Sequence, residues 1–322
     1  MKRRHLIALA ATGFAAPAVI QAQGVWPDRP IRIIVPYPPG GSNDTVARLM
    51  QRRLQEVLGR PIVVENRGGG SGSIGAGQTV RADPDGYTWL LANDTVATNE
   101  ALMQLSYTAA EAFTFCTLVG TCPYALVAHR EQPFQTLAQV TEAARARPET
   151  LNYATTGVGS LAHISAVLLE QQGRFKMVHV PYRGGGPALQ DAVAGHVSLF
   201  MSNIVIILPH IRQGTLRPLG VSSARESRFL PGVPTFAQQG FDGFESLTYW
   251  ALLGPAGIPD AINRRMQAAV AQVLSEPEVR MRMDAQGADI VASSPEDCAA
   301  FIRRETEKWG RVIRDNDIRA DS

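Results

Sequence analysis

Four short stretches hold most of the residues in this chain that could do chemistry: PPGGSN at 38–43, GGGSGS at 68–73, TTGVGS at 155–160 and RGGGPA at 183–188. Each follows an apolar run and opens a segment of helical periodicity. Glycine has no Cβ, so backbone N–H groups in such loops can come close to a ligand. A helix start attracts an anion through its dipole and its unpaired N–H groups. One glycine loop is ordinary turn chemistry. Four of them at strand-to-helix junctions, two in each half of the strand pattern, predict a cleft that receives an anion.

Other chemistries fit the same residues less well. Ser160 and His163, in GSLAHIS, lie one helical turn apart, which raises a serine nucleophile with a histidine base. A serine heading a helix is also an N-cap, and neighbouring Ser/His pairs seldom have the aim a triad needs, so capping is the preferred reading. No G-x-S-x-G elbow occurs, because Leu161 follows Ser160. Gly70 to Gly75 fits G-x-G-x-x-G with Asp94 downstream. That loop follows the second strand rather than the first, and its helix is cut short at Pro84-Asp85-Gly86, so the dinucleotide reading is weak. The six histidines show no paired ligand spacing, and neither a metal nor a cofactor is expected. Asp44 sits in a first helical turn, where it would support the N-terminus rather than act as an acid. The runner-up function is an exported α/β enzyme, either a Ser/His hydrolase or a dinucleotide-dependent oxidoreductase.

The elements that must position these loops alternate strand and helix. Residues 31–35 read as a strand, 45–58 as a helix with Val46, Leu49, Met50, Leu54, Val57 and Leu58 at helical spacing, 61–65 and 87–92 as further strands. Such alternation implies right-handed crossovers and a parallel sheet. The pattern restarts after 113–127, an extended apolar segment: helix 136–146, strand LNYAT, helix 161–172, strand KMVHVPY, helix 187–194 and strand HVSLFMSN. Two α/β units of similar grammar predict two lobes. Helices at 261–274 and 295–313 have no strand between them long enough for a third domain, so they are expected to return to the first lobe. Two extended crossings, near Leu118 to Ala125 and Leu247 to Leu253, would then form a hinge.

With 322 residues, 45% hydrophobic and 19% charged, the composition is that of a globular protein of about two domains. Lys2, Arg3 and Arg4 followed by an apolar run to Ile20 and a small residue at Ala22 read as a signal peptide cleaved after Ala22, with Ala18 as a competing site. Gly13 and Pro17 make that run poor as a membrane anchor. The adjacent arginines also allow the twin-arginine route. Without those three basic residues, 28 basic side chains face 29 acidic ones, near −1, so charge gives no support for nucleic acid as a partner. Cys116 and Cys122 lie in extended chain, which would separate them by about 20 Å against the roughly 6 Å that a disulfide tolerates.

The chain resembles the substrate-binding proteins of tripartite tricarboxylate transporters, the Bug receptors. The resemblance rests on WPDRPIRIIVPYPPGGSNDTVAR, PIVVENRGGGSGSIGA, PDGYTWLLA, LNYATTGVGSLAH, VPYRGGGPALQDAVAGHVSLFMSN, LPGVPTFAQQGFDGFE and ALLGPAGIP, which cover the chain in order. It implies an α/β, two-lobed periplasmic binding protein of type II, the Venus flytrap, each lobe a mostly parallel sheet flanked by helices. The implied division is 1–22 signal peptide, 23–122 and 248–322 lobe 1, and 123–247 lobe 2. It further implies a monomeric, non-enzymatic receptor that holds a small carboxylate with backbone amides and water. The carboxylate would be handed to membrane permease subunits of such a transporter, or reported to a sensor. Carried over residue by residue, the expected ligand contacts are Tyr37, Gly40, Gly41, Asn43, Asp44 and Ser71 on the first lobe. On the second they are Thr156, Gly157, Gly159, Ser160, His163, Tyr182, Gly184 and Asn203. NRGGGSGS, Arg183 and LANDTVATNE depart from the family's usual wording, and they touch the cleft walls.

Overall fold

The computed structural model describes residues 26–319; the expected signal peptide and its cleavage site lie outside the described residues. The first unit runs β1 (Ile31–Val35), α1 (Ser42–Leu58), β2 (Ile62–Asn66), α2 (Ser73–Val80), β3 (Thr88–Ala92), α3 (Thr95–Leu102) and the short α4 (Ala109–Ala112). In α1 the residues Val46, Met50, Leu54 and Leu58 recur every fourth position and are buried, and Gly59 ends the helix in the left-handed region, its N–H donating to Gln55 O. β1 is buried on both faces except at Arg32, as expected for a parallel strand covered by helices. The helix α3 was not anticipated from the sequence.

β4 (Phe113–His129) then crosses the molecule as one continuous 17-residue strand. Beyond it lie α5 (Leu137–Ala146), β5 (Asn152–Thr155), α6 (Leu161–Gly173), β6 (Val178–Pro181), α7 (Gly185–Ala194), β7 (Leu199–Asn203), α8 (Ile204–Arg212) and β8 (Leu216–Val221). The return crossing is β9 (Leu247–Pro255), followed by α9 (Asp260–Ser275), α10 (Pro277–Ala285), β10 (Asp289–Ile290) and α11 (Pro295–Asp315).

The strand order is β2-β1-β3-β9-β4-β7-β5-β6, with β8 and β10 also on β4. The sheets are less uniformly parallel than strand–helix alternation suggests. β1 pairs in parallel with β2 and β3, and β5 with β6 and β7, but every pairing of β4 and β9 is antiparallel. The cause is that β9 enters the first sheet beside β3 while β4, which runs through both sheets, enters the second beside β7, each against the direction of the parallel set. From Phe113 to Pro123 β4 pairs with β9; from Tyr124 onward it pairs with β7 and β8. Register shifts at Phe115/Thr117, Leu118/Gly120 and Leu126/Val127 mark bulges, which bend and twist a strand. At Gly120 a Cβ would stand 2.7 Å from Asp289 O, so glycine is what lets β10 approach.

α9 packs on α1 and β4, and α11 on α3 and β4. α11 begins with Ser294 accepting from Asp297 N at 3.0 Å and turns Cys298, Ile302, Trp309 and Ile313 inward. Cys116, Cys122 and Cys298 are all buried and unpaired. Among the described residues no helix is long and apolar enough to cross a membrane.

Candidate functional site

All four glycine loops lie at carboxyl ends of parallel strands, after β1, β2, β5 and β6. Ligands of open α/β sheets bind at that end. Between them is a cleft of about 300 Å³. One wall is Tyr37, Ser42, Ser71 and the start of α3; the other is residues 156–161 with Gly184 and Asn203; Tyr124 and Thr248, on the two crossing strands, lie between.

Eight of the expected contacts line this cleft: Tyr37, Ser71, Thr156, Gly157, Gly159, Ser160, Gly184 and Asn203. Tyr37 Oη donates to Asn93 Oδ1 at 2.9 Å and lies 2.9 Å from Thr95 Oγ1. Burial, then the nearby Asp94 carboxylate, push the Tyr37 phenol well above its ordinary range, so it stays a neutral donor and acceptor. Ser71 is held at φ 50°, ψ 37°, a left-handed conformation unusual for serine, and its carbonyl accepts from Asn99 Nδ2 at 3.0 Å. Gly157 and Gly159 also have positive φ, which lets this loop run flat along the opposite wall. Asn203 caps α8, its Oδ1 accepting from Ile206 N at 3.4 Å.

Six expected contacts fall outside the cleft, each with a local use for its polar group except Gly41. The Gly40 N–H donates to Asp44 Oδ2 at 2.9 Å, and the same carboxylate accepts from Arg48 Nε and Asn66 Nδ2, each at 3.0 Å. Although burial works against it, hydrogen bonds from Arg48, Gly40 and Asn66 hold the Asp44 carboxyl below its usual range. Asp44 therefore ties the PPGGSN loop to α1 and β2. Asn43 Nδ2 donates to Leu91 O at 3.0 Å, anchoring the loop on β3. Gly41 forms the N-cap of α1 with ordinary φ of −77°. Tyr182 Oη donates to Asp191 Oδ2 at 2.5 Å.

His163 lies on α6 stacked against His179, ring centroids 4.0 Å apart. Burial, and then the neighbouring His179, depress its pKa to about 3, so the ring is neutral. Its Nδ1 accepts from Gly159 N at 3.2 Å, while Ser160 Oγ accepts from His163 N at 3.2 Å and donates to Gly157 O at 2.7 Å. The serine proton points to a carbonyl rather than the imidazole. This is a helix cap, without the hydrogen bond a nucleophile and base would share.

Sequence reasoning placed LANDTVATNE at a cleft wall but named none of its residues, Asn93, Asp94, Thr95 and Asn99, as contacts, and it missed Leu102, Ser42, Val158, Leu161, Tyr124 and Thr248. A search for glycine could not find a βα junction that has none. The available signal was N-D-T directly after the strand YTWLLA, a helix-start composition. Asp94 is 5% exposed, and its Oδ1 accepts from Thr248 Oγ1 at 2.6 Å. Burial raises its pKa to about 6. Among the described residues no lysine, arginine or histidine lines the cleft, and Asp94 is its single carboxylate.

Residues 46–318 match the tripartite tricarboxylate transporter family receptor. The chain belongs to this family. Protein BugT of Bordetella pertussis is 34% identical over 312 residues, 96% of this chain and 95% of that protein. A solved R. palustris family structure with adipate superposes with a TM-score of 0.80 at 30% identity, over 90% of this chain and 97% of that one. MatC from Rhodopseudomonas palustris, with bound malate, gives 0.77 at 30% identity, over 89% and 100%. The family's receptors share the two-lobed periplasmic-binding-protein fold seen here.

Proposed function

We propose that this chain is a periplasmic solute receptor that closes two lobes around a small carboxylate and catalyses no reaction. The observation that carries the reading is the cleft itself. The start of α1 at Ser42 and the start of α6 at Ser160 meet it from opposite walls, offering N–H groups and helix dipoles with no cationic side chain needed. The relatives solved with adipate and malate support the ligand class. Lobe 1 comprises residues 23–122 and 248–322 and lobe 2 residues 123–247, with β4 and β9 as the hinge. The ligand contacts are the eight expected residues that line the cleft, joined by Asn93, Thr95, Asn99 and Thr248. The mature monomer begins near Gln23, after export, and delivers its ligand to permease subunits or a sensor.

The test is a thermal-shift screen with X-ray scattering. A ligand that binds only the folded form adds RT ln(1 + [L]/Kd), about 2.7 kcal/mol at a hundredfold excess over Kd. At roughly 2–4 °C per kcal/mol the melting temperature should rise by several degrees. Hits are expected among small carboxylates and none among dinucleotides, with the radius of gyration falling on binding. Shifts with NAD or NADP and none with carboxylates would favour the enzyme alternative.

A further inference from the structure

We propose that the cleft selects a zwitterion, a small carboxylate that also carries a cationic nitrogen, with Asp94 receiving the nitrogen while the helix starts across the cleft receive the carboxylate. The inference rests on the carboxylate reading above and narrows it.

Asp94 occupies the N-cap position of α3, yet its side chain makes no capping hydrogen bond, unlike Ser160 and Asn203 at the corresponding positions of α6 and α8. Its carboxylate is instead directed to the crossing strand, where Thr248 Oγ1 is its side-chain donor. No described lysine, arginine or histidine forms an ion pair with it. The groups that face it add no positive charge: Tyr37 before α1, Tyr124 on β4, Thr248 and Tyr249 on β9, and the Glu305 carboxylate on α11. His163, on α6 and outside the cleft lining, is neutral. On its own helix Glu100 accepts from Ala109 N. A buried carboxylate with only neutral donors, Thr248 and its own backbone N–H, and no counter-ion is costly, and a cation entering the cleft removes that cost.

A second observation points the same way. Asn99, further along α3 and also in the cleft wall, is 4% exposed; its Nδ2 donates to Ser71 O, but its Oδ1 is buried with no partner. Beside the N–H groups at the start of α1, this wall thus carries two under-satisfied acceptors, Asp94 and Asn99, whereas the wall built by residues 156–161 opens a 13-residue helix and carries no carboxylate. An ammonium group on one side and a carboxylate on the other match that polarity. A plain dicarboxylate would set one anion beside Asp94, which like-charge repulsion opposes.

Calorimetric titration of the mature protein with matched pairs tests the assignment: succinate against L-aspartate, glutarate against L-glutamate, butyrate against γ-aminobutyrate. At pH 7.5 the amino member of at least one pair should bind tenfold or more tightly than its partner. Asp94→Asn, which keeps an acceptor for Thr248, should abolish that preference by weakening the amino member and tightening the deaminated acid, since the like charge is gone. Because the ionised carboxylate is the binding form, affinity for the amino member should fall as pH drops from 7.5 to 5. The opposite pattern refutes the proposal: equal or tighter binding of the deaminated acids, strengthening as pH falls, is the signature of a protonated Asp94 donating to a ligand carboxylate. An amino preference that survives in Asp94→Asn refutes it too. Carboxylates that bind without amino preference leave the proposed function standing and remove only this inference. Binding by no member of any pair removes both.

Discussion

Ser160→Ala separates a cap from a catalytic nucleophile, and the structure gives the expected size of its effect. Two hydrogen bonds disappear: the one Ser160 Oγ accepts from His163 N at 3.2 Å and the one it donates to Gly157 O at 2.7 Å. Loss of an N-cap costs about 1 kcal/mol. Loss of a neutral hydrogen bond whose acceptor can partly rehydrate costs about another. A destabilisation of about 2 kcal/mol is expected, or a drop in melting temperature of roughly 4–8 °C. Urea unfolding of parent and variant measures it, with the slope checked for constancy so that a difference in midpoint reports stability. Ser160→Asp divides the two contributions. It keeps the acceptor that caps α6 and adds a charge favoured at a helix N-terminus, but it cannot donate to Gly157 O while ionised. It should fold within about 1 kcal/mol of the parent and yet lose carboxylate binding, since the new anion stands where the ligand anion is received. An Ala variant as stable as the parent would falsify the capping geometry. Turnover of an ester or amide panel that disappears with Ser160→Ala would overturn the receptor reading altogether.

Other outcomes follow from the same geometry. Gly159→Ala places a Cβ 3.1 Å from Leu102 Cδ1 across the cleft at φ +71°, so urea unfolding should show a loss of roughly 1–2 kcal/mol of stability for a left-handed alanine. Gly120→Ala meets Asp289 O at 2.7 Å and should destabilise by about 1–3 kcal/mol in urea unfolding, with ligand affinity at saturating fold unchanged. Asp44 has a depressed folded-state pKa, so its contribution is present above the unfolded value near 3.8 and is lost as pH falls through the lower folded value; Asp44→Asn should cost stability at pH 7, and the cost should shrink as pH falls below 3.8. Asp94 has the opposite sign. Its folded pKa of about 6 lies above 3.8, so ligand-free stability falls as pH rises between those values, and Asp94→Asn should stabilise the empty protein at pH 7.5 with no gain at pH 3.5.

What the amino-acid sequence determined by itself is what neighbours along the chain decide. The four-residue spacing of Val46, Met50, Leu54 and Leu58 gives α1 its buried stripe; glycine loops mark four strand ends; Ser160 and Asn203 cap the helices that follow them. The apolar segments read as extended at 113–127 and 247–253 lie within β4 and β9, because few shorter roles suit runs so long and so apolar. Only the tertiary structure decided which glycine loops face the cleft and with what atoms. The Gly40 amide turns away because Asp44, fixed by Arg48 and by Asn66 from the next strand, claims it. The antiparallel entry of β9 was equally hidden, since strand direction depends on how the chain returns and not on local composition. Asp94 illustrates the limit most sharply: its partner Thr248 is 154 residues away, and whether a carboxylate is solvated or buried without a cation depends on what that distant strand brings against it. Burial, charge and the identity of a hydrogen-bond partner are properties of the packed molecule, because each is set by groups that only the fold makes neighbours.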